Sequence, residues 1–441
     1  MWWRERAMVA CLAGCVLGMA GPAGADEHSD RARAMIAKAV SYLKAQQDAA
    51  TGGWSVPRPE SRRPVLPAIT ALVVTAMLDA PPPPPLPSPP DAPAAGAPEA
   101  AGAPTGAEAT KESIARGVKY VLGFRQADGG IYDRILPSYN TAIALSMLAR
   151  LDSDEARSAI KPAQDFLRKL QWSESSDPAV GGAEAGRPVD RDHPFYGGIG
   201  YGSGGRPDLS NLGIMLQGLH DSGVPGDDPA FQRAIVFLQR CQMDGAINDQ
   251  DYAKGSRQGG FIYSTSENRE SVGSGESKAR MIEETLDDGT RVSRLRAYGS
   301  MTYTGFKSYV YARLPRDDRR VTEALRWIRE HYTLEENPGL GAEGLYYYYL
   351  TFAKALEAWG EPTIVVERPR GAPGAAGGEG GGGGERGDGA QARNWRHDLI
   401  DRLATLQNED GSFRSVNDRW MENDPVLITA YATLALEAAL R

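Results

Sequence analysis

The 441-residue chain is 41% apolar and 24% charged, with a net charge of −8 and three cysteines. That balance is ordinary for a globular protein, and the length suits two or three domains or one large repetitive one. With no basic run beyond the N-terminus, nucleic acid is excluded as a charge-driven partner, and so is attraction to an anionic membrane surface.

In chain order, residues 1–25 read as an export signal. Arg4 and Arg6 are followed by the apolar stretch 7–20 and by Ala23-Gly24-Ala25, a small-x-small cleavage site before Asp26. A competing reading takes Leu12-Ala13-Gly14-Cys15 as a lipoprotein box with Cys15 carrying the lipid. The apolar run continues past Cys15, which favours cleavage after Ala25. The expected product is an exported protein of the periplasm, envelope or medium, one toroidal domain over 26–441. Cys241 is then its sole cysteine, which leaves no intramolecular disulfide and no cysteine-based metal site.

The mature chain repeats itself. Ala39-Leu43-Gln47, Val118-Leu122-Gln126, Ala163-Leu167-Gln171, Ala234-Leu238-Gln242 and Leu399-Leu403-Gln407 share one spacing, with Ala324-Ile328-Tyr332 as a divergent copy. A spacing of four places these side chains on one face of an amphipathic helix. Glycine turns carrying a bulky apolar residue follow: Gly52-Gly53-Trp54, Gly129-Gly130-Ile131, Gly259-Gly260-Phe261 and Gly411-Ser412-Phe413. Next come segments apolar almost all round, such as 67–78, 140–148, 210–219 and 425–440, which predict helices buried on every side. Six amphipathic helices alternating with six buried ones bury their apolar faces by stacking as hairpins. A closed ring of six hairpins is the expected all-α architecture, with an open solenoid as the alternative.

The turn Gln407-Asn408-Glu409-Asp410-Gly411-Ser412-Phe413 resembles the QW-type repeats of squalene–hopene cyclases. More broadly, residues 32–79 and 111–441 resemble the prenyltransferase/squalene oxidase repeat family, which implies an α/α toroid and an isoprenoid or other hydrophobic ligand. The acid motif of the cyclases, Asp-x-Asp-Asp, is absent, and Cys241 has no histidine at ligand spacing, so the zinc site of protein prenyltransferases is not expected either. The Gly-Cys-Gly-Glu-Gln motif of complement-type thioester toroids is missing too. No metal or other cofactor is expected.

Two stretches fall outside the repeat, the Pro/Ala-rich 80–110 and the Gly-rich 361–391. Each lies between a buried helix and the next amphipathic one, so both read as coreless insertions in one ring. The opposite connections are long as well, among them 197–211, 243–297, 332–344 and 408–424. They place a working mouth at one end of the lumen. The glycine-rich segment 197–211 lacks the lysine and the strand of a phosphate loop and is expected to cover a bound molecule.

Candidate catalytic residues at that mouth are Asp208 and Glu343 as acids and Tyr303 or Lys307 as base, the last two on one face. Asn211, Tyr298, Tyr346 and Asp424 are candidate ligand contacts. Capping for Asp208 and Asp424, and aromatic packing for the tyrosines, are the competing roles. The expected partner is a hydrophobic or hydroxyl-rich small molecule or a glycan, with peripheral membrane association open. A polysaccharide lyase or hydrolase and a non-catalytic envelope scaffold are the alternative functions.

Overall fold

A computed structural model of the chain describes residues 27–82, 106–181, 188–202, 205–286, 288–367 and 390–441. The N-terminal residues 1–26, expected to hold an export signal, and the centres of both insertions lie outside these residues.

Twelve α-helices occur among the described residues. The amphipathic set is α1 (Glu27–Ala45), α3 (Gly106–Leu122), α5 (Asp154–Leu170), α7 (Pro229–Cys241), α9 (Arg319–Glu330) and α11 (Trp395–Ala404). The apolar set is α2 (Pro67–Asp79), α4 (Pro137–Leu148), α6 (Leu209–Asp221), α8 (Gly299–Tyr311), α10 (Leu345–Trp359) and α12 (Pro425–Leu440). Each apolar helix packs on the next, and α12 returns to α2, so they form a closed inner ring. The amphipathic helices form the outer ring, and α1 closes it by packing on α11 and α12. The fold is an α/α toroid.

Burial follows the two sequence patterns. In α1 only the stripe Ala32, Met35, Ile36, Ala39 and Leu43 is buried, whereas α2 buries every residue from Pro67 to Met77. Leu238 and Leu403 of the repeat phrase are fully buried, each contributing about 1.5–3 kcal/mol of apolar transfer.

The glycine turn repeated along the chain has a physical basis. Gly197 has φ +82°, and a Cβ there would stand 1.9 Å from the Arg233 carbonyl oxygen on α7. Only glycine tolerates both conditions. Gly52, Gly129, Gly259 and Gly411 occupy the same place against the following outer helix. Gly197-Gly198-Ile199 is therefore the third-repeat turn, while Tyr201 of the same segment lines the mouth cavity; residues 203–204 lie outside the described residues. The bulky residue of each turn is fixed by the inner helix. The N–H groups of Trp54, Ile131, Phe261 and Phe413 donate to the hydroxyls of Thr70, Thr141, Thr302 and Thr429 at 2.9–3.0 Å.

The repeat glutamines join neighbouring hairpins. Gln171 donates to the carbonyls of Gly197 and Ala230, both at 2.9 Å. Gln242 does the same to Gly259 and Arg320, and Gln407 to Gly411 and, across the ring closure, to Met35. Tyr332, the divergent copy, reaches Asp398 of α11 with its hydroxyl at 2.7 Å. Gln126 bonds only within its own turn, to Phe124 and Tyr132.

Three antiparallel strand pairs decorate the ring: β1 (Gln242–Asp244) with β2 (Arg257–Phe261), β3 (Ile282–Thr285) with β4 (Arg291–Arg294), and β5 (Thr363–Val366) with β6 (Gln391–Asn394). The sequence reading drew both insertions too wide. Helix α3 starts at Gly106, inside 80–110, strand β5 lies inside 361–391 with Ile364 buried, and β6 begins at its last residue, Gln391.

Candidate functional site

All six inner helices begin at one end of the ring, where the long connections 243–298 and 405–424 also lie. A cavity of about 190 Å3 opens there. Its wall is aliphatic and aromatic: Leu66, Ile69, Leu72, Met301 and Leu427 alternate with Tyr139, Tyr201, Tyr263, Tyr298, Tyr347 and Tyr431. Trp420 and Met421 stand at its rim, each with positive φ (+55° and +66°) and each about two-fifths exposed. Two successive non-glycine residues in that conformation are strained and need their surroundings to hold them.

Glu422, the next residue, is anchored to α10 and is the one carboxyl on the cavity wall among the described residues. Its side chain is 1% exposed. One oxygen accepts from the Leu345 N–H at 3.0 Å, the other from Tyr346 N–H at 2.9 Å and Tyr347 N–H at 3.0 Å. These are the open donors of the first turn of α10, whose own N-cap is Gly344 without a capping side chain. Burial pushes the Glu422 carboxyl up to about 7, against the three N–H groups that favour its ionised form.

Asp208 lies behind the wall rather than on it. It N-caps α6, accepting from Asn211 N–H at 2.9 Å and from the Asn211 side-chain amide at 2.8 Å. Burial raises it to about 6, while Asn211, Arg206 and the Tyr263 hydroxyl pull the other way. Tyr263 joins it to the cavity: the Arg206 guanidinium lies 5.1 Å and the Lys278 ammonium 4.7 Å from its ring centroid, and its hydroxyl is 3.3 Å from that of Tyr201. Glu276 pairs with both cations.

The sequence candidates separate in space. Tyr298 lines the cavity. Asn211 orients Asp208 and also lies within 3.3 Å of the Ser138 hydroxyl. Asp424 N-caps α12 through Val426 N–H at 2.9 Å, the competing role. Glu343 pairs with Arg419, whose guanidinium covers the Trp420 ring at 4.3 Å, so it braces the rim instead of facing the ligand space. Tyr303 packs on Tyr348 and Phe352 at ring distances of 5.6 and 5.0 Å, away from the lumen. Tyr346 turns outward too, against Phe413 and Tyr349, its hydroxyl donating to the Arg414 carbonyl. Lys307 does reach the lumen, but deeper, in a second cavity beneath the mouth. Four residues along a helix advance the direction by about 40°, enough to part Lys307 from Tyr303. Among the described residues no group of three His, Cys, Asp or Glu side chains is arranged to hold a metal ion, and Cys241 is a buried free thiol.

No family model matches the chain, and no curated protein matches it. Solved structures do share its fold. The GH76A α-1,6-mannanase of Salegentibacter sp. HEL1_6 superposes with a TM-score of 0.51 at 9% identity, over 93% of this chain and 100% of that one. An inactive variant of that enzyme in complex with α-1,6-mannotriose gives 0.51 at 9% identity, over 93% and 99%. The type II terpene cyclase MstE from Scytonema, in complex with merosterolic acid A, gives 0.45 at 12% identity, over 94% and 98%. The mannanase likeness is one of fold, the α/α toroid.

Proposed function

We propose that this chain is an exported toroid of the prenyltransferase/squalene oxidase repeat type that binds an isoprenoid or similar apolar molecule in the mouth of its lumen. The observation that carries the reading is the cavity wall, aliphatic and aromatic apart from tyrosine and serine hydroxyls, one asparagine and the single carboxyl of Glu422. Such a wall rewards an apolar ligand by surface burial, while one or two polar groups set its orientation. If the ligand is transformed, Glu422 is the group placed to hold or deliver a proton, since a carboxyl near 7 is populated in both states at neutral pH.

Exposed apolar side chains support entry from an apolar phase. Ile135, Tyr201, Met281, Val416, Trp420 and Met421 all lie on connections that lead into inner helices, at the mouth end. Peripheral contact of that end with a membrane fits them. No described helix is long and apolar enough to cross one.

A glycan is the second reading, favoured by the tyrosine hydroxyls and the Trp420 ring at the rim. Glycoside hydrolysis generally uses two carboxyls facing the bond to be cut, and among the described residues this wall presents one. Organic extraction of the purified protein followed by mass spectrometry tests the proposal, beside a screen on mannans and acidic polysaccharides. A stoichiometric isoprenoid or other lipid is expected. Glycan cleavage without any extractable or added apolar ligand would replace the reading by the second one.

A further inference from the structure

Below the mouth lies a second cavity of about 90 Å3, lined by the middle turns of the inner helices. Tyr139, Tyr347 and Tyr431, with Leu72, line both spaces and form the partition between them. The lower one has room for a small polar group.

Its wall holds three cations, Arg150, Lys307 and Lys354, against one carboxylate, Asp221. Arg150 is neutralised by Asp79 at 3.0 Å and by Asp221 at 3.3 Å, and Lys354 by Glu357 at 3.0 Å. Both Asp221 oxygens are engaged, one by Arg150 and one by the Gln217 amide at 2.7 Å. Lys307 is left over. It is 6% exposed, has no carboxylate at ion-pair distance among the described residues, and donates only to the Gln217 carbonyl oxygen at 2.7 Å. That oxygen also accepts from Tyr311 at 3.0 Å, and the Tyr311 ring lies 5.6 Å from the ammonium. A buried cation without a counter-ion is costly, and an ammonium has three donors to place.

We propose that the lower cavity is a binding compartment for a monoanion, a carboxylate, with Lys307 as its counter-ion. Lys307 is the wall cation with no carboxylate at ion-pair distance among the described residues, and its single charge matches a single negative one. The C-terminal ends of α6, α8 and α10 lie below and disfavour an anion, so the site depends on the lysine. Burial lowers the ammonium to about 8, helped by Lys354 and opposed by Asp221 and Glu357; a bound carboxylate restores its charge. The carboxylate is either a free small acid or the polar end of the molecule proposed for the mouth, reaching past the three tyrosines.

Two measurements separate these sources, and only the second rests on the proposed mouth ligand. In the first, thermal unfolding of the whole protein is followed in sodium acetate and in sodium chloride at equal ionic strength. Acetate should raise the melting temperature of the wild type and not that of Lys307→Met, which loses the charge and keeps the packing. Equal melting in both salts for the wild type, or equal acetate stabilisation of the variant, overturns the compartment. In the second, geranic acid and geraniol are titrated by calorimetry. Acid binding tighter than the alcohol by about tenfold or more, a difference lost in Lys307→Met, assigns the carboxylate to the mouth ligand. Equal affinities with acetate stabilisation intact assign the compartment to a free acid. Binding of neither compound, with acetate stabilisation intact, removes the mouth ligand and leaves the anion site.

Discussion

Glu422 shows how one side chain can bind together the parts of the site. It caps α10, follows the strained pair Trp420 and Met421 in the chain, and faces the cavity. Its carboxyl is raised from 4.5 to about 7 by burial. The native state therefore keeps a proton that the unfolded chain releases above about 4.5, so this group's contribution to stability is full below that value. It is lost as pH rises through 7. Denaturant unfolding at pH 5 and pH 8 should show a fall on the order of 1–3 kcal/mol in the wild type. Glu422→Gln keeps an acceptor for α10 and should show a clearly smaller fall, the remainder coming from groups such as Asp208. Equal falls in both proteins would mean that Glu422 does not titrate in this range.

Gly197 belongs to the same scale. Gly197→Ala must move backbone, because its Cβ would meet the Arg233 carbonyl at 1.9 Å. A loss of at least about 2 kcal/mol is expected, against about 1 kcal/mol for Gly223→Ala, where φ is +83° but nothing lies within 4 Å. Comparable losses at the two sites would show that strain alone, and not the close approach to α7, sets the cost.

At the scale of elements, the helices were legible because one signal was repeated six times. The four-residue spacing set the outer face, and the glycine turns marked where each hairpin folds back. The strand pairs were not legible. Segments such as 282–285 and 291–294 are too short for alternation to stand out, and they sit in a long polar connection. Side-chain direction in the tyrosine run 346–349 was equally hidden. A helix turns about 100° per residue, so Tyr347 faces the lumen while Tyr346, Tyr348 and Tyr349 pack outward, and composition cannot give that phase. Glu422 escaped notice for another reason: the acid that caps α10 comes from a connection 77 residues away from Leu345. The one local hint was the lack of a capping side chain before Leu345.

The repeat glutamines give this scale its prediction. Gln242 joins α7 to α9 through Arg320 and also accepts from Tyr309 at 3.0 Å, whereas Gln126 serves its own turn. Gln242→Ala should cost about 1–3 kcal/mol more than Gln126→Ala in chemical unfolding, since it strands buried partners in two other helices. Equal costs would mean that the hairpins are not joined through this side chain. Leu238→Ala should cost about 2–5 kcal/mol, as for other large-to-small core changes.

For the molecule as a whole, ring closure is the controlling feature. Residues more than 360 positions apart meet where Gln407 reaches Met35 and where Arg441 pairs with Asp79. The insertion after α10 does not interrupt that ring, because Val366 and Gln391 are paired neighbours on β5 and β6. Replacing residues 367–390 by Asn-Gly, a two-residue hairpin turn, should leave helical circular dichroism and cooperative melting in place. Loss of folding would show that the replaced segment packs on the ring.

The central claim, that the mouth cavity binds an apolar molecule, meets its most direct test in a cavity-filling variant. Ala68 is buried on the wall of that cavity, at the first turn of α2. Calorimetric titration of geraniol into the wild type and into Ala68→Phe, with melting curves of both, should show saturable binding that is lost in the variant while the variant still melts cooperatively. Unchanged affinity in a folded Ala68→Phe protein would place the ligand elsewhere and contradict the account.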